Sequence, residues 1–271
     1  MKRLAAAVVV AALLLSGCAG KVGSLDDGIE SVPATELIGL WRVSDAAGEG
    51  NETWLLLGEE VVLWNDCGLA SGSWDARDDA FIAEINSWAG DSCAVDEFPA
   101  DWLVAAAGYG FIDDKLSLVD ASGSRVATLT LDGTPPIHPD WSDEYREQPD
   151  KDEVAKFILR EGVPLPDVAV PADDLVGKWL PTDYNGSIDP HLTFAVDGQY
   201  VGWDGCNGIG GRWVYGAQGS ILTTSGASTA VWCEGSNAPY EIASADTIGM
   251  VGDELTLFGY DGEVLAAFIR A

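Results

Sequence analysis

The chain has 271 residues, of which 47% are hydrophobic, with 11 tryptophans and a formal net charge of -30. The hydrophobic content and the tryptophans are sufficient for folded cores, so the acidity does not indicate disorder. The negative charge excludes a nucleic-acid-binding role because an acidic surface repels phosphates, and the length favours two domains.

The N-terminus has the features of a secretory signal. Lys2 and Arg3 precede an unbroken apolar run from Leu4 to Leu15, which is shorter than the roughly 20 residues that a membrane span requires. The run leads into Leu15-Ser16-Gly17-Cys18, which resembles a bacterial lipobox, whose cysteine is lipidated and becomes the new N-terminus. The alternative is an ordinary signal beside a coincidental cysteine. We expect a signal peptide over 1–17, acyl chains such as palmitate on Cys18 and a flexible tether over 18–34. The protein would then be extracytoplasmic and anchored to a membrane through its lipid.

An internal repeat organises the rest of the chain. Rare residues recur at a shift of 138 to 140 positions, namely Trp41 with Trp179, Trp64 with Trp203, Cys67 with Cys206, Trp74 with Trp213 and Cys93 with Cys233. The repeat predicts one domain over 35–132, a linker over 133–172 and a second domain over 173–271. Each domain is large enough for its own core.

The linker is predicted to contain a short helix between two proline-rich flanks. Val154, Phe157 and Ile158 fall on one helical face, Asp150 is suited to the N-cap and Gly162 to the C-terminal stop. We expect this amphipathic helix to dock on one or both domains.

Both domains are predicted to be mainly β, as antiparallel barrels or half-barrels with about one short helix each. Asp197-Gly198 and Asp261-Gly262 separate pairs of strands, and this dipeptide favours a type I′ hairpin turn. The helices are expected over Pro99–Ala107 and near Pro239–Thr247.

Four cysteines remain besides Cys18, two in each repeat. An exported chain is in a compartment where disulfides persist, and equivalent positions predict the pairs Cys67–Cys93 and Cys206–Cys233. Zinc binding is disfavoured because C-x₂₋₄-C spacing is missing. A shared cysteine nucleophile is disfavoured because neither His138 nor His191 recurs between the repeats. We expect no metal, no cofactor and no catalytic residue.

The glycine-rich stretch Gly202–Gly211 does not match a phosphate-binding loop. It is predicted to lie between strands, and it contains neither a Gly-Lys-Ser/Thr sequence nor a G-x-G-x-x-G motif. Gly205 is expected in a turn, and Gly208, Gly210 and Gly211 where φ is positive or backbones approach closely.

The second repeat resembles the META domain, the family of the heat-shock protein HslJ. The resemblance rests on Gly205-Cys206-Asn207, on Ser228-Thr229 before Cys233, and on Leu255-x-Leu257. It implies a small, mainly β envelope domain, often on lipoproteins, without established catalytic residues or cofactor and linked to stress tolerance. The first repeat has Asp66-Cys67-Gly68 instead and lacks the Ser-Thr pair.

The functional prediction is a non-enzymatic lipoprotein with a binding or envelope-support role, whose partners are the membrane, through the lipid, and an envelope protein or a glycan. Asn207 and Trp232 are the candidate ligand-binding residues. One alternative is a carbohydrate-binding module with an aromatic platform, for which the sequence offers Trp54, Trp88, Trp102, Trp141 and Trp232. Another is a hydrolase with an unrecognised site.

Overall fold

Two eight-stranded antiparallel sheets follow each other along the chain, so the predicted tandem of mainly β, barrel-like domains is confirmed. The computed structural model describes residues 28–50, 52–90, 100–137, 143–159, 162–184, 186, 188–226, 228–229, 231–232 and 234–271, without the side chains of residues 144, 157, 158 and 217.

The first sheet is a closed barrel in which each strand pairs with its neighbours in sequence and the last pairs with the first. Its strands are β1 (Gly39–Ser44), β2 (Trp54–Leu57), β3 (Val61–Asn65), β4 (Gly68–Arg77), β5 (Ala80–Ala89), β6 (Ala106–Ile112), β7 (Lys115–Asp120) and β8 (Arg125–Thr130). Helix α1 (Asp101–Ala105) precedes β6, inside the range predicted for it.

The second sheet has the strand order β13-β12-β11-β10-β9-β16-β15-β14. Its strands are β9 (Gly177–Pro181), β10 (His191–Phe194), β11 (Gln199–Trp203), β12 (Gly208–Tyr215), β13 (Ile221–Thr223), β14 (Thr247–Val251), β15 (Glu254–Phe258) and β16 (Val264–Arg270). The expected helix before β14 is a 3₁₀ helix, Ala238–Ser244, and a short helix α3 (Ala172–Leu175) precedes β9.

The two sheets close in the same way. In the first barrel, β5 and β6 share a single pair, Ala80 with Gly108. In the second, the edge strands β13 and β14 meet through one bridge, Ser220 with Thr247, at the equivalent positions of the repeat. The second sheet is therefore a nearly closed barrel, and we call it the second barrel.

Side chains that point inward from alternate strand positions fill both barrels. In β11, Tyr200 is buried whereas Gln199 and Val201 are exposed, as expected when one face of a strand points to a core. One pair of recurring tryptophans has equivalent partners in the two barrels: the indole of Trp41 donates to the carbonyl of Leu37 at 2.8 Å, and that of Trp179 to the carbonyl of Leu175 at 2.7 Å. The largest interior side chains are Trp41, Trp74, Phe81, Trp102 and Tyr109 in the first barrel, and Trp179, Phe194, Tyr200, Trp213 and Phe268 in the second.

A short segment before each barrel is hydrogen-bonded to the sixth strand of that barrel. Glu30 exchanges two backbone hydrogen bonds with Phe111 in β6, at 2.9 and 2.8 Å. The amide of Met250 in β14 donates to the carbonyl of Val168 at 2.8 Å. We call residues 28–33 and 163–170 the first and second straps.

The first strap corrects the predicted extent of the tether. Residues 28–34 were expected to be flexible, but Glu30 is paired and Val32 is buried in the core cluster of the first barrel. A single backbone pairing without rare residues leaves no periodic pattern in the sequence, so it was missed. The rest of the predicted tether and the predicted signal peptide lie outside the described residues.

The linker contains helix α2 (Lys151–Ile158), which packs on the first barrel. The Asp150 side chain caps it by accepting from the amides of Asp152 and Glu153, and Val154 is buried in the core cluster of the first barrel. The helix ends at Ile158 with Leu159 as its C-cap, so Gly162 is not its stop. The side chains of Phe157 and Ile158 lie outside the described part of the chain.

The predicted type I′ turns at Asp-Gly are wrong. In the turn at Asp197-Gly198 only Gly198 has a positive φ, of 78°, and Gly198 donates to the carbonyl of Ala195. This is the pattern of a longer loop that ends in a left-handed glycine, which the same dipeptide also accommodates. Two consecutive positive φ angles occur instead at Asp78-Asp79 and at Asp113-Asp114, since aspartate tolerates this region better than most residues.

The two barrels contact each other through equivalent strands. Strand β5 packs on β12 and strand β4 on β13, and β4 and β5 correspond to β12 and β13 in the repeat. The contact is therefore reciprocal, as in a two-fold dimer. Its apolar centre consists of Ala80, Ile82, Val214 and Leu222.

Polar groups complete this interface. Arg77 pairs with Asp246 at 2.8 Å, with only 12% and 7% of their side chains exposed. The guanidinium of Arg212 donates to the carbonyl of Val104 at 2.5 Å. The hydroxyl of Thr224 donates to Glu84 at 2.5 Å. Glu84 and Thr224 occupy equivalent positions in the repeat, so this last contact lies close to the pseudo-two-fold axis.

Candidate functional site

A turn after β11 begins the candidate site. One carboxylate oxygen of Asp204 accepts from the amides of Cys206 at 2.7 Å and Asn207 at 2.6 Å. The first barrel has the same turn, in which Asn65 accepts from the amide of Cys67 at 3.0 Å. The turn is thus a shared part of the fold.

Asn207 joins this turn to a second segment. Its side chain is 4% exposed, and its amide nitrogen donates to Asp204 at 2.9 Å and to the carbonyl of Val231 at 2.6 Å. Its amide oxygen accepts from the backbone amide of Val231 at 2.6 Å. Both amide hydrogens are used, so Asn207 positions Val231 and is not itself available as a ligand-binding group.

The negative charge of Asp204 is favoured in this environment. Burial raises the pKa of Asp204, but hydrogen bonds from the Asn207 side chain and from the amides of Asn207 and Cys206 lower it by more, so that the net pKa lies below its ordinary value. The ionised carboxylate is therefore a stable part of the turn.

The segment that Asn207 holds is exposed and apolar. Trp232 is 85% exposed and Val231 63% exposed. The far side of the segment is also held, because the amide of Ser236 donates to the carbonyl of Asp204 at 3.1 Å. We call Val231 and Trp232 the apolar tip. The two residues predicted to bind a ligand are thus close together, with Asn207 bonded to the neighbour of Trp232.

The predicted aromatic platform is wrong for two of its tryptophans. Trp102 is buried in the core of the first barrel and its indole donates to Glu49 at 2.7 Å. Trp54 is buried on the outer face of the first barrel in a cluster against which Tyr145 of the linker packs. Trp88 is half-buried, and Trp141 lies outside the described residues. Trp232 is the candidate that is both described and well exposed.

The glycines of the stretch Gly202–Gly211 have different roles. Gly205 has a φ of 111° in the turn. A side chain on Gly211 would collide with the carbonyl of Thr224. Gly208 and Gly210 meet neither expectation, since neither has a positive φ and a β-carbon would find only ordinary contacts.

The lipidation and disulfide predictions fall largely outside the described part of the chain. Cys18, Cys93 and Cys233 are not among the described residues. Cys67 and Cys206 occupy equivalent turns, and the pairings Cys67–Cys93 and Cys206–Cys233 remain predictions.

Sequence reasoning missed Asp204 and Val231. Asp204 aligns with Asn65, and both side chains can accept from a backbone amide two residues on, so this signal was available. Val231 left no signal because its role depends on contact with Asn207. Among the described residues there is no group of three or more side chains suited to hold a metal ion, and none of the described helices is long and apolar enough to cross a membrane.

Residues 173–271 match the family model of the META domain. The META match covers the second barrel from α3 to the C-terminal end of the chain, including the Asp204–Asn207 turn and the apolar tip, and it leaves residues 1–172 unmatched. The chain has no significant match among curated proteins or among solved structures.

Proposed function

We propose that this chain is a non-enzymatic, extracytoplasmic lipoprotein of the cell envelope that binds an envelope partner through the apolar tip of its META-matched barrel. The proposal rests on the exposure of Trp232, which is 85% exposed and lies on a segment held by the buried Asn207. The META match supports an envelope role linked to stress tolerance.

The apolar tip is suited to binding because it is exposed and because Asn207 holds the backbone of Val231. Burial of a tryptophan removes roughly 200 Å² from water, which contributes roughly 5 kcal/mol at 25 cal/mol per Å². Tryptophan is also enriched among the residues that dominate binding energies. The bonds of Asn207 to Val231 reduce the entropy that ordering would otherwise cost on association.

The proposed anchor would keep the first barrel near the membrane. The first strap begins at Gly28, ten residues after Cys18, and ten extended residues span at most about 35 Å. The charge of -30 disfavours direct contact with anionic headgroups. The lipid would therefore supply the membrane attachment, and the apolar tip on the second barrel would remain available for a partner.

We also propose that the first barrel is a diverged META domain of the HslJ type. Its strand order, its closing pair and the Trp41 hydrogen bond all recur in the META-matched barrel. The turn around Cys67 is retained as well, whereas Gly68 replaces Asn207 and cannot hold a tip in the same way.

Anchoring is tested by fractionating cells that express the native chain or Cys18→Ser. The native chain should be found with membranes and incorporate labelled palmitate, and the variant should be released without label. An unchanged distribution of the variant would contradict the proposed anchor.

Binding is tested by placing a photo-crosslinking phenylalanine analogue at Trp232 in the lipidated protein in intact cells. The matched position is Val196, which is 58% exposed at the opposite end of the same barrel. We expect a discrete crosslinked envelope protein from position 232 and not from 196, and the partner should be lost in Asn207→Ala. Identical patterns at both positions would refute the role of the tip. Deletion of the gene should also lower tolerance to envelope stress.

A glycan partner is the second candidate because an exposed tryptophan can stack on a sugar ring. Envelope glycans should then quench the fluorescence of the native protein and not that of Trp232→Ala. Quenching that survives this substitution, or no quenching with any glycan, would exclude the glycan role of the tip.

A further inference from the structure

A cavity of about 490 Å³ lies at one end of the first barrel. Four parts of the chain that are distant in sequence form it: the first strap with the residues that follow it, the turn between β4 and β5, Tyr109 of β6, and Leu159 at the end of α2. Its size is in the range of small-molecule sites in proteins. It is separate from the apolar tip, which belongs to the other barrel.

One part of the cavity wall is apolar. Val32 and Ala76 are buried members of the core cluster, and Leu159 of the linker packs against that cluster from outside. The buried residue Tyr109 of β6 also lines the cavity. These groups favour an aliphatic chain over a fully polar ligand.

The remaining wall carries negative charge, and Asp78 within it is exposed to solvent. Asp78 and Asp79 form the turn, with φ angles of 50° and 67°. The hydroxyl of Ser31 donates to Asp79, and no described residue donates a hydrogen bond to Asp78 or forms an ion pair with it. Arg77 also lines the cavity, but its guanidinium binds Asp246 through two hydrogen bonds, at 2.8 and 3.1 Å. The charge of Arg77 is therefore already balanced.

We infer that this cavity binds a small organic cation, with its ammonium group at Asp78 and Asp79 and its aliphatic part against Val32, Ala76 and Leu159. The inference does not depend on the proposed function, because it concerns the other barrel and requires no lipid and no protein partner.

The experiment compares three probes of equal length and different charge. The full chain carrying Cys18→Ser, which needs no detergent, is titrated by calorimetry at pH 7 and 0.15 M salt with n-hexylammonium, 1-hexanol and hexanoate. We expect saturable one-to-one binding of hexylammonium, and affinities at least about tenfold weaker for the neutral and anionic probes.

A matched pair of variants separates a local from a global charge effect. Asp78→Asn with Asp79→Asn removes the carboxylates at the cavity, and Asp113→Asn with Asp114→Asn removes the same charge from a similar turn at the same end of the barrel. Asparagine tolerates positive φ angles, so both variants should fold. The first should weaken hexylammonium binding about tenfold and the second less than twofold.

Three results would overturn the inference. The first is the absence of saturable hexylammonium binding. The second is an equal loss of affinity in both double variants, which would indicate that the cation is attracted only by the net negative charge of the whole protein. The third is equal binding of 1-hexanol and hexylammonium, which would indicate an apolar cavity without cation recognition.

Discussion

The substitution Asn207→Ala should destabilise the second barrel and release the apolar tip. It removes three hydrogen bonds from a side chain that is 4% exposed. Each contributes about 0.5–1.5 kcal/mol net, and the bond to a carboxylate contributes towards the upper end. Because Val231 is exposed, water can hydrogen-bond to its backbone amide and carbonyl once the Asn207 side chain is removed. We therefore expect a loss of about 2–3 kcal/mol in the free energy of unfolding.

Two measurements check this expectation. Urea unfolding gives the global loss, and hydrogen exchange followed by NMR reports on the amide of Val231, whose acceptor is the Asn207 side chain. That amide should be protected in the native protein and should exchange rapidly in the variant. Acrylamide should quench Trp232 in both proteins, since the indole is exposed in either case.

Asn86→Ala is the control for removal of an asparagine. Asn86 is exposed and donates one hydrogen bond across the interface, to the carbonyl of Ser225 at 2.7 Å, so its loss should cost less than about 1 kcal/mol. The interpretation of Asn207 as the support of the tip is wrong if its removal costs no more than that of Asn86 and leaves the Val231 amide protected.

Three further predictions concern the interface, the partly buried acid Glu49 and the cysteines. Arg77→Leu should lower the free energy of unfolding in urea by about 3 kcal/mol because it leaves Asp246 buried without its partner. The control Arg42→Leu should lower it by less than about 1 kcal/mol because the ion pairs of Arg42 are exposed. Equal losses in the two variants would contradict a buried ion pair at the interface. Burial raises the pKa of Glu49 above its ordinary value of 4.5, against hydrogen bonds that lower it, so the stability contributed by this group is complete below pH 4.5 and is lost as pH rises through the folded-state pKa. Glu49→Gln should therefore be more stable than the native protein at pH 7 and lose this advantage at pH 4, and an advantage independent of pH would refute the argument. Non-reducing peptide mapping should find two intrachain disulfides, each contributing about 3.5 kcal/mol in the chain-entropy model, and any other connectivity would contradict the repeat-based pairing Cys67–Cys93 and Cys206–Cys233.

The repeat was predictable because it rests on rare residues, some of which make the same local contacts in both halves. Trp41 and Trp179 each donate to a carbonyl four residues earlier, so each carries its partner within a short stretch of sequence. The Asx turns at Asn65 and Asp204 are equally local. Patterns of this kind survive in a single sequence because neither depends on distant contacts.

Features that depend on distant contacts were not predictable. Trp54 points away from the barrel interior, and an outward position on a β-strand is normally exposed. It is buried because residues near Tyr145 fold back over β1–β3, where Gln148 also accepts from the amide of Leu40 and donates to its carbonyl, at 3.0 Å each. The straps and the cavity have the same origin, since each joins segments far apart in the chain.

The pseudo-two-fold contact between the barrels has a consequence for how the two halves of the chain can vary. The linker between the two barrels holds them at an effective concentration on the order of 1 mM. If the barrels as separate domains bound each other with a dissociation constant of about 0.1 mM, about nine in ten linked molecules would have the interface formed. In a dimer of identical chains a residue on the axis meets its own copy, and two glutamates there would repel each other. In the fused chain Glu84 meets Thr224, which donates to it. Fusion thus removes the requirement for self-complementarity, and each half can acquire residues that its counterpart lacks without losing the contact.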